Sequence, residues 1–276
     1  MIERKNLIAR ILLFAGLIAG AFLSLAPFYW MFIAATHSTG EIFALPPNLL
    51  PGKHLLSNLA NLQAEVGLAR VVFNSTILAV VYTIVTVFLS AMAGYAFAKF
   101  QFRGRDAIFF GVLITIMVPY QATLIPLFST MAKLGWINTY KAVLTPNLAN
   151  AFGIFLMRQN MQAVPTEMIE AGRIDGCSEF GTFMRIVLPS MRPALAALAI
   201  YMFMFQWNNF MWPLVVLNDP KMYTIPVALS SLIGLSRIDY GQLMLGASVS
   251  TLPIMAVFLI LQRQFISGIL SGSVKG

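Results

Sequence analysis

Six blocks of apolar residues dominate this chain and decide what it can fold into: Ile11–Ala35, Val71–Ala98, Ala107–Thr130, Ala142–Met157, Ala194–Leu217 and Gly241–Leu261. A bilayer hydrocarbon core about 30 Å thick needs roughly 20 apolar residues of helix to cross it. Only 10% of the residues are charged and 59% are hydrophobic, against about 25% charged in an average soluble domain. A soluble core cannot bury this much apolar surface, so lipid is the solvent. The expected fold class is all-α: a polytopic membrane protein with six transmembrane helices.

The formal net charge of +8 would suggest nucleic acid in a soluble chain. Here the basic residues sit at block ends and set orientation by the Lys/Arg bias across loops. Arg4, Lys5, Arg10, Lys99, Arg103, Arg105, Arg158, Arg173, Arg185, Arg192, Arg263 and Lys275 fall on one side. Lys53, Arg70, Lys133, Lys141, Lys221 and Arg237 fall on the other. Twelve against six makes the first side cytoplasmic, with both termini inside, as an even number of spans requires. The first block has a basic start like a signal peptide, but its apolar run continues past Pro27 and Trp30, so it reads as a retained anchor. The single cysteine, Cys177, permits no internal disulfide and reads as a small packing residue.

No Asp, Glu, Lys, Arg or His lies inside any block. Ion-coupled carriers and proton pumps keep ionisable groups at membrane depth, so a self-sufficient carrier is disfavoured. An intramembrane enzyme lacks its carboxylate pair, its Ser/His set and an H-E-x-x-H zinc motif. A G-x-x-x-x-G-K-[ST] phosphate loop is also missing; Gly52-Lys53 is followed by His54. The polar residues within the blocks are neutral. Asn74 and Ser75 suit hydrogen bonds that hold helices together. Gln121, Asn147, Asn150, Gln206, Asn208 and Asn209 suit the same role and, as amides beside Trp207, also fit a path for a hydroxyl-rich solute.

One stretch breaks the pattern. Residues 158–193 form a loop of about 35 residues between the fourth and fifth blocks, dense in charge: Glu167, Glu170, Arg173, Asp175, Glu179 and Arg185. Its punctuation predicts two short helices. Thr166 serves as an N-cap with acids in the first turn, Gly176 as the residue just past the helix end, and Ser178-Glu179 as a second start that stops before Pro189. Mixed charge interleaved with Met168, Ile169, Ile174, Phe180, Phe183 and Ile186 describes a protein-docking surface. A helix lying on lipid would be more uniformly basic.

Within that loop Glu170-Ala171-Gly172, Asp175-Gly176 and, nine residues on, Ile186, Leu188 and Pro189 resemble the E-A-A loop of ABC-transporter permeases. Gly172 stands where that family usually has alanine. AGYAFAKFQFRGRD (93–106), MVPYQATLIPLF (117–128), LGWINTY (134–140), QWNNFMWPLVVLND (206–219) and GSVKG (272–276) are similar to the second permease of maltose-type carbohydrate importers. The resemblance covers nearly the whole chain. It implies the type I ABC importer fold, with residues 1–69 as first helix and outer loop, 70–265 as the permease domain, and 266–276 as a cytoplasmic tail near the ATPases. It implies an inner-membrane, non-catalytic subunit with no cofactor of its own, ATP and Mg being held by partners. Those partners are a second homologous permease, two ATPase subunits and an extracytoplasmic solute-binding protein, within membrane lipid and with no nucleic acid. Glu170, Ala171, Gly172, Asp175, Gly176, Ile186, Leu188 and Pro189 would then couple the chain to an ATPase, and the loop 217–240 would face the binding protein. The implied solute is a disaccharide, oligosaccharide, amino sugar or polyol; the alternative is glycerol phosphate or a glycerophosphodiester.

Overall fold

Among the described residues every regular element is helical. The computed structural model describes the backbone of residues 2–234 and 238–273, and the side chains of residues 7, 9–234 and 238–262. Arg237 and the last three residues of the expected 266–276 tail lie outside the described residues, as do all the side chains of that tail.

Three helices are long and apolar enough to cross a bilayer unaided: Ala9–Ala34 within the helix Ile2–Ala34, Leu68–Lys99, and Tyr240–Gln262 within Tyr240–Ser273. The 32 residues of Leu68–Lys99 extend about 48 Å at 1.5 Å per residue. These three match the first, second and sixth apolar blocks.

The other three blocks are not continuous helices, and proline accounts for much of the difference. The third block forms two helical stretches, Arg105–Met117 and Tyr120–Lys133, bent by 101°. Pro119 has no N–H to give, and the residue before a proline is pushed out of the α region; Val118 has ψ 118°. The fourth block is a short helix Tyr140–Leu144, a 3-10 turn at Thr145–Asn147 that contains Pro146, and a helix Ala151–Gln162 that begins when Asn150 accepts a hydrogen bond from the Gly153 N–H at 2.9 Å. Its 12 residues reach about 18 Å, too short for a full crossing. The fifth block breaks at Asn208–Phe210 between helices Arg192–Trp207 and Met211–Val216.

The chain divides into two compact units. The first comprises residues 1–68 and 229–252. In it the helix Leu55–Val66 is pinned by Asn58, whose Nδ2 donates to the Ala35 carbonyl at 2.9 Å and the His37 carbonyl at 3.0 Å. The first helix leaves Leu12, Leu13, Phe14, Leu17, Phe22 and Leu23 exposed. Lipid or a partner chain must cover them, since monomeric soluble proteins do not carry such a patch.

The second unit comprises residues 69–228 and 253–276. Its largest core joins Tyr82, Ala91 and Tyr95 of Leu68–Lys99 to Met157 and Met161, to Leu198 and Met202, and to Val164, Ile169, Phe183 and Val187. A second core gathers Leu78, Val143, Trp212 and Val216, where the Trp212 indole N–H donates to the Ala142 carbonyl at 2.8 Å. Asn74 and Ser75 act as helix glue: Asn74 Nδ2 donates to the Lys221 and Tyr223 carbonyls, and Ser75 Oγ accepts from the Ile225 N–H. Arg158 opens no loop. It lies inside Ala151–Gln162 with its guanidinium 4.0 Å above the Phe109 ring.

Candidate functional site

The charged stretch folds as two short helices with a defined inside and outside. The first runs Thr166–Ile174, with Pro165 rather than Thr166 in the N-cap position, a difference of one residue at a helix end. It ends in a closed C-cap. Gly176 has φ +79°, its N–H donates to the Arg173 carbonyl at 3.1 Å, and the Cys177 N–H reaches back to the Gly172 carbonyl at 3.0 Å. This pair of reverse hydrogen bonds around a left-handed residue is the Schellman arrangement, which suits glycine because it has no Cβ. Ser178 then caps the next helix, its Oγ accepting from the Gly181 N–H at 3.1 Å.

This second helix does not stop before Pro189. It widens into a π turn over Phe183–Val187 and continues through Leu188–Ser190 before turning by 84° into Arg192–Trp207. A proline ring crowds the carbonyl four residues back and offers no N–H. The π turn just before Pro189 is the kind of local widening that relieves this conflict.

The inner face is continuous with the bundle. Ile169, Phe183 and Val187 are buried in the same core as Tyr82, Met157 and Met202, and Phe183 packs on Tyr95 with ring centroids 5.3 Å apart. Gly172 is buried, and a Cβ there would meet the Ile186 Cδ1 and come within 3.3 Å of Thr182 Oγ1. The glycine that departs from the resemblance is thus the residue over which Ile186 lies. Lys99 anchors the loop's first turn, its ammonium donating to the Val164 and Gln162 carbonyls. A cation at a helix C-terminus also complements the helix dipole.

The outer face is charged and apolar together. Glu167, Glu170, Ala171, Asp175 and Gly176 are exposed. Ile174 is 86% exposed and Phe180 56%. The two helices are clasped by Arg173, which donates to both Glu179 carboxylate oxygens at 2.7 and 3.1 Å. That pairing holds the Arg173 pKa above its ordinary value, mainly through the Glu179 hydrogen bond. Leu188 is half-buried and Pro189 exposed at the turn into the next helix. Neither the clasp nor the Lys99 anchor was read from the sequence; the six-residue separation of Arg173 and Glu179 across a glycine cap was the available signal for the clasp.

The amides proposed for a path have mixed fates. Asn150 is spent as a helix cap and Asn208 donates to the Met204 carbonyl at 3.0 Å. Gln121 is exposed and Asn209 half-buried. Asn147 Nδ2 and both amide atoms of Gln206 are buried without a hydrogen-bond partner among the described residues. The Asn147 backbone carbonyl accepts from the Tyr82 hydroxyl at 3.1 Å, and Tyr82 stacks on Phe205, the neighbour of Gln206. Of the six, only Asn147 and Gln206 retain free polar atoms in the interior of the second unit. Among the described residues, no group of three His, Cys, Asp or Glu side chains comes together to hold a metal.

Comparison with known proteins agrees with this architecture. The chain is 41% identical over 255 residues to the lactose transport system permease protein LacG of Rhizobium radiobacter, covering 92% of each. It is 38% identical to the arabinooligosaccharides transport system permease protein AraQ of Halalkalibacterium halodurans, covering 93% of each. It is 32% identical to the sn-glycerol-3-phosphate transport system permease protein UgpE of Agrobacterium fabrum, covering 98% of each. The fold matches a chain in the crystal structure of a bacterial ABC transporter involved in the import of the acidic polysaccharide alginate, with a TM-score of 0.81 over 95% of this chain and 98% of that one at 22% identity. Residues 86–271, which hold the two-helix loop and all of its core but Tyr82, match the family described as binding-protein-dependent transport system inner membrane component. The chain belongs to that family: it is a multi-pass inner-membrane permease subunit of a binding-protein-dependent importer, not an enzyme.

Proposed function

We propose that this chain forms half of the translocation path of an ATP-driven sugar importer, and that the two-helix loop is its handle for an ATPase subunit. The observation that carries the second part is the two-sidedness of the loop. Its inner face is fused to the bundle core through Ile169, Phe183 and Val187, while its outer face presents Glu167, Glu170, Ile174 and Phe180. A force applied outside is therefore transmitted into the helices Leu68–Lys99, Ala151–Gln162 and Arg192–Trp207 rather than absorbed by a slack linker. Glu170 pairs with a basic group of the ATPase. Ile174 and Phe180 supply the apolar contact that a protein interface places at its centre. ATP and Mg are bound by that partner, and a second permease and an extracytoplasmic binding protein complete the assembly.

A sugar is favoured as solute because the relatives named for lactose and arabinooligosaccharides are more similar to this chain than the one named for sn-glycerol 3-phosphate. Gln206 and Asn147 are the residues of this chain best suited to the path, since their amides are buried and uncommitted. The test is purification of the chain from its native membrane with its subunits, followed by reconstitution in vesicles. ATP-dependent uptake of lactose or arabinotriose, dependent on the binding protein, is the expected result. Uptake by the isolated chain without ATP would refute the proposal.

A further inference from the structure

The first unit holds a polar cavity of about 650 Å³ that the path and the loop leave unexplained. One wall is a face of the helix Leu55–Val66: Ser57, Asn58, Asn61 and Glu65, with His54 just before it. Spacings of three and four residues put these side chains on one side of a helix. The opposite wall is Asp239 and Gln242, at the start of the last long helix. The volume falls within the usual range for small-molecule sites, about 300–1,000 Å³.

Several lining groups are already committed. Asp239 caps its helix: Oδ1 accepts from Thr39 Oγ1 and the Gly241 and Gln242 N–H groups, and Oδ2 accepts from Gln242 Nε2 at 3.1 Å. Asn58 holds the backbone at Ala35 and His37. The His54 imidazole stands 3.6 Å from Glu41. Three groups are left over. Asn61 and Glu65 make no side-chain hydrogen bond or ion pair among the described residues. Gln242 is only 4% exposed, yet its Oε1 has no hydrogen-bond partner among the described residues. A buried amide oxygen left unpaired costs free energy unless something donates to it.

We infer that this cavity is a subsite for a neutral, hydroxyl-rich solute, held by Asn61 and Glu65 on the extracytoplasmic side. The inference rests on the importer reading above and on the orientation given by the Lys/Arg bias. Sugar hydroxyls both donate and accept. A carboxylate accepts from two neighbouring hydroxyls, and the Asn61 amide donates and accepts. A phosphorylated solute fits poorly, because the Glu65 and Asp239 carboxylates repel it and, among the described residues, His54 is the only basic side chain in the lining. The cavity wall is preorganised by the Asn58 bonds and by the His54 N–H, which donates to the Thr36 carbonyl at 2.8 Å.

The test uses the complete importer in lipid nanodiscs with the binding protein removed. Binding of lactose, arabinotriose and sn-glycerol 3-phosphate is measured by equilibrium dialysis for the native complex and for Asn61→Ala, Glu65→Gln and Leu56→Ser. Both polar positions are exposed, so neither substitution threatens the fold. Saturable binding of one of the neutral sugars is expected, weakened about tenfold or more by Asn61→Ala and by Glu65→Gln. Leu56→Ser should not change it, and sn-glycerol 3-phosphate should not bind. Equal sugar affinity in all four proteins overturns the inference, as does the absence of sugar binding or tighter binding of the phosphate. If Glu65→Gln spares sugar binding but weakens stimulation of ATP hydrolysis by the binding protein, the cavity is a protein-docking feature and the inference also fails. Stimulation of the native complex by the loaded binding protein is measured alongside; its absence would count against the importer reading itself, separately from the subsite.

Discussion

Gly172 and Ile186 should be energetically coupled, and the sign and size of the coupling follow from their geometry. Replacing Gly172 by Ala in mid-helix gains about 1 kcal/mol of helix propensity. The new Cβ, however, lands against the Ile186 Cδ1. That atom is the end of a flexible side chain, so Ile186 can turn aside at a cost of about 0.5–1.5 kcal/mol. Gly172→Ala alone should therefore change stability by less than about 1 kcal/mol. Ile186→Val alone should destabilise by about 0.5–1.5 kcal/mol, as a methyl is lost from a packed contact. In the double variant the methyl removed is the one in conflict, so both costs fall away and the propensity gain remains. The coupling is then the sum of the two costs that fall away, favourable by about 1–3 kcal/mol, within the range for residues in contact. The assay is reversible unfolding of the purified chain in mixed micelles, run as a double-mutant cycle. Strict additivity would refute the packing of Ile186 over Gly172 and, with it, the pinning of the two helices to each other.

Gly176→Val forces a β-branched residue to φ +79° and should cost about 1–2 kcal/mol while reducing ATPase co-purification, read by quantitative mass spectrometry. Glu179→Arg should uncouple ATP hydrolysis from transport by opening the Arg173 clasp, and Arg173→Glu added to it should restore coupling in a vesicle uptake assay. Lys99→Met leaves the Val164 and Gln162 carbonyls without their ammonium and should speed hydrogen exchange at the start of the loop. Glu41 has its pKa lowered, mainly by the Ser38 N–H and then by His37. A depressed folded-state value stabilises above the unfolded pKa and is lost as pH falls through the folded one. Exchange of residues 36–42 should therefore quicken on acidification below the ordinary glutamate range, and Glu41→Gln should remove that dependence.

Helix existence was legible wherever apolar length decided it. The first, second and sixth blocks became unbroken helices: the second holds no proline, the first and sixth carry Pro27 and Pro253 inside the helix without a break, and lipid supplies no competing hydrogen bonds. The third and fourth blocks misled because hydrophobicity says how deep a segment lies, not whether it stays helical; Pro119, Pro146 and the Asn150 cap decided that locally. In the loop, the caps at Gly176 and Ser178 were readable because they depend on neighbouring residues alone. The continuation through Pro189 was not, since it needs a π turn with no residue signature of its own. Gly172 is legible in the sequence only as a departure from the usual alanine; its place beneath Ile186 depends on a residue fourteen positions away. The cavity wall at positions 54, 57, 58, 61 and 65 was not read from the sequence, and its opposite side comes from residues 239–242, a contact that no local pattern announces.

The central claim is that the outer face of the two-helix loop meets an ATPase subunit, and cross-linking tests it most directly. In a Cys177→Ser background, single cysteines at Ile174 and Phe180 would be treated with a short bismaleimide in native membranes, beside a control at Leu56 in the outer helix. The account predicts that the first two cross-link to an ATPase subunit, that ATP alters the yield, and that the control does not cross-link to it. Labelling of Ile174→Cys by a membrane-impermeant maleimide from the extracytoplasmic side, or cross-links from it that never include an ATPase subunit, would contradict the account.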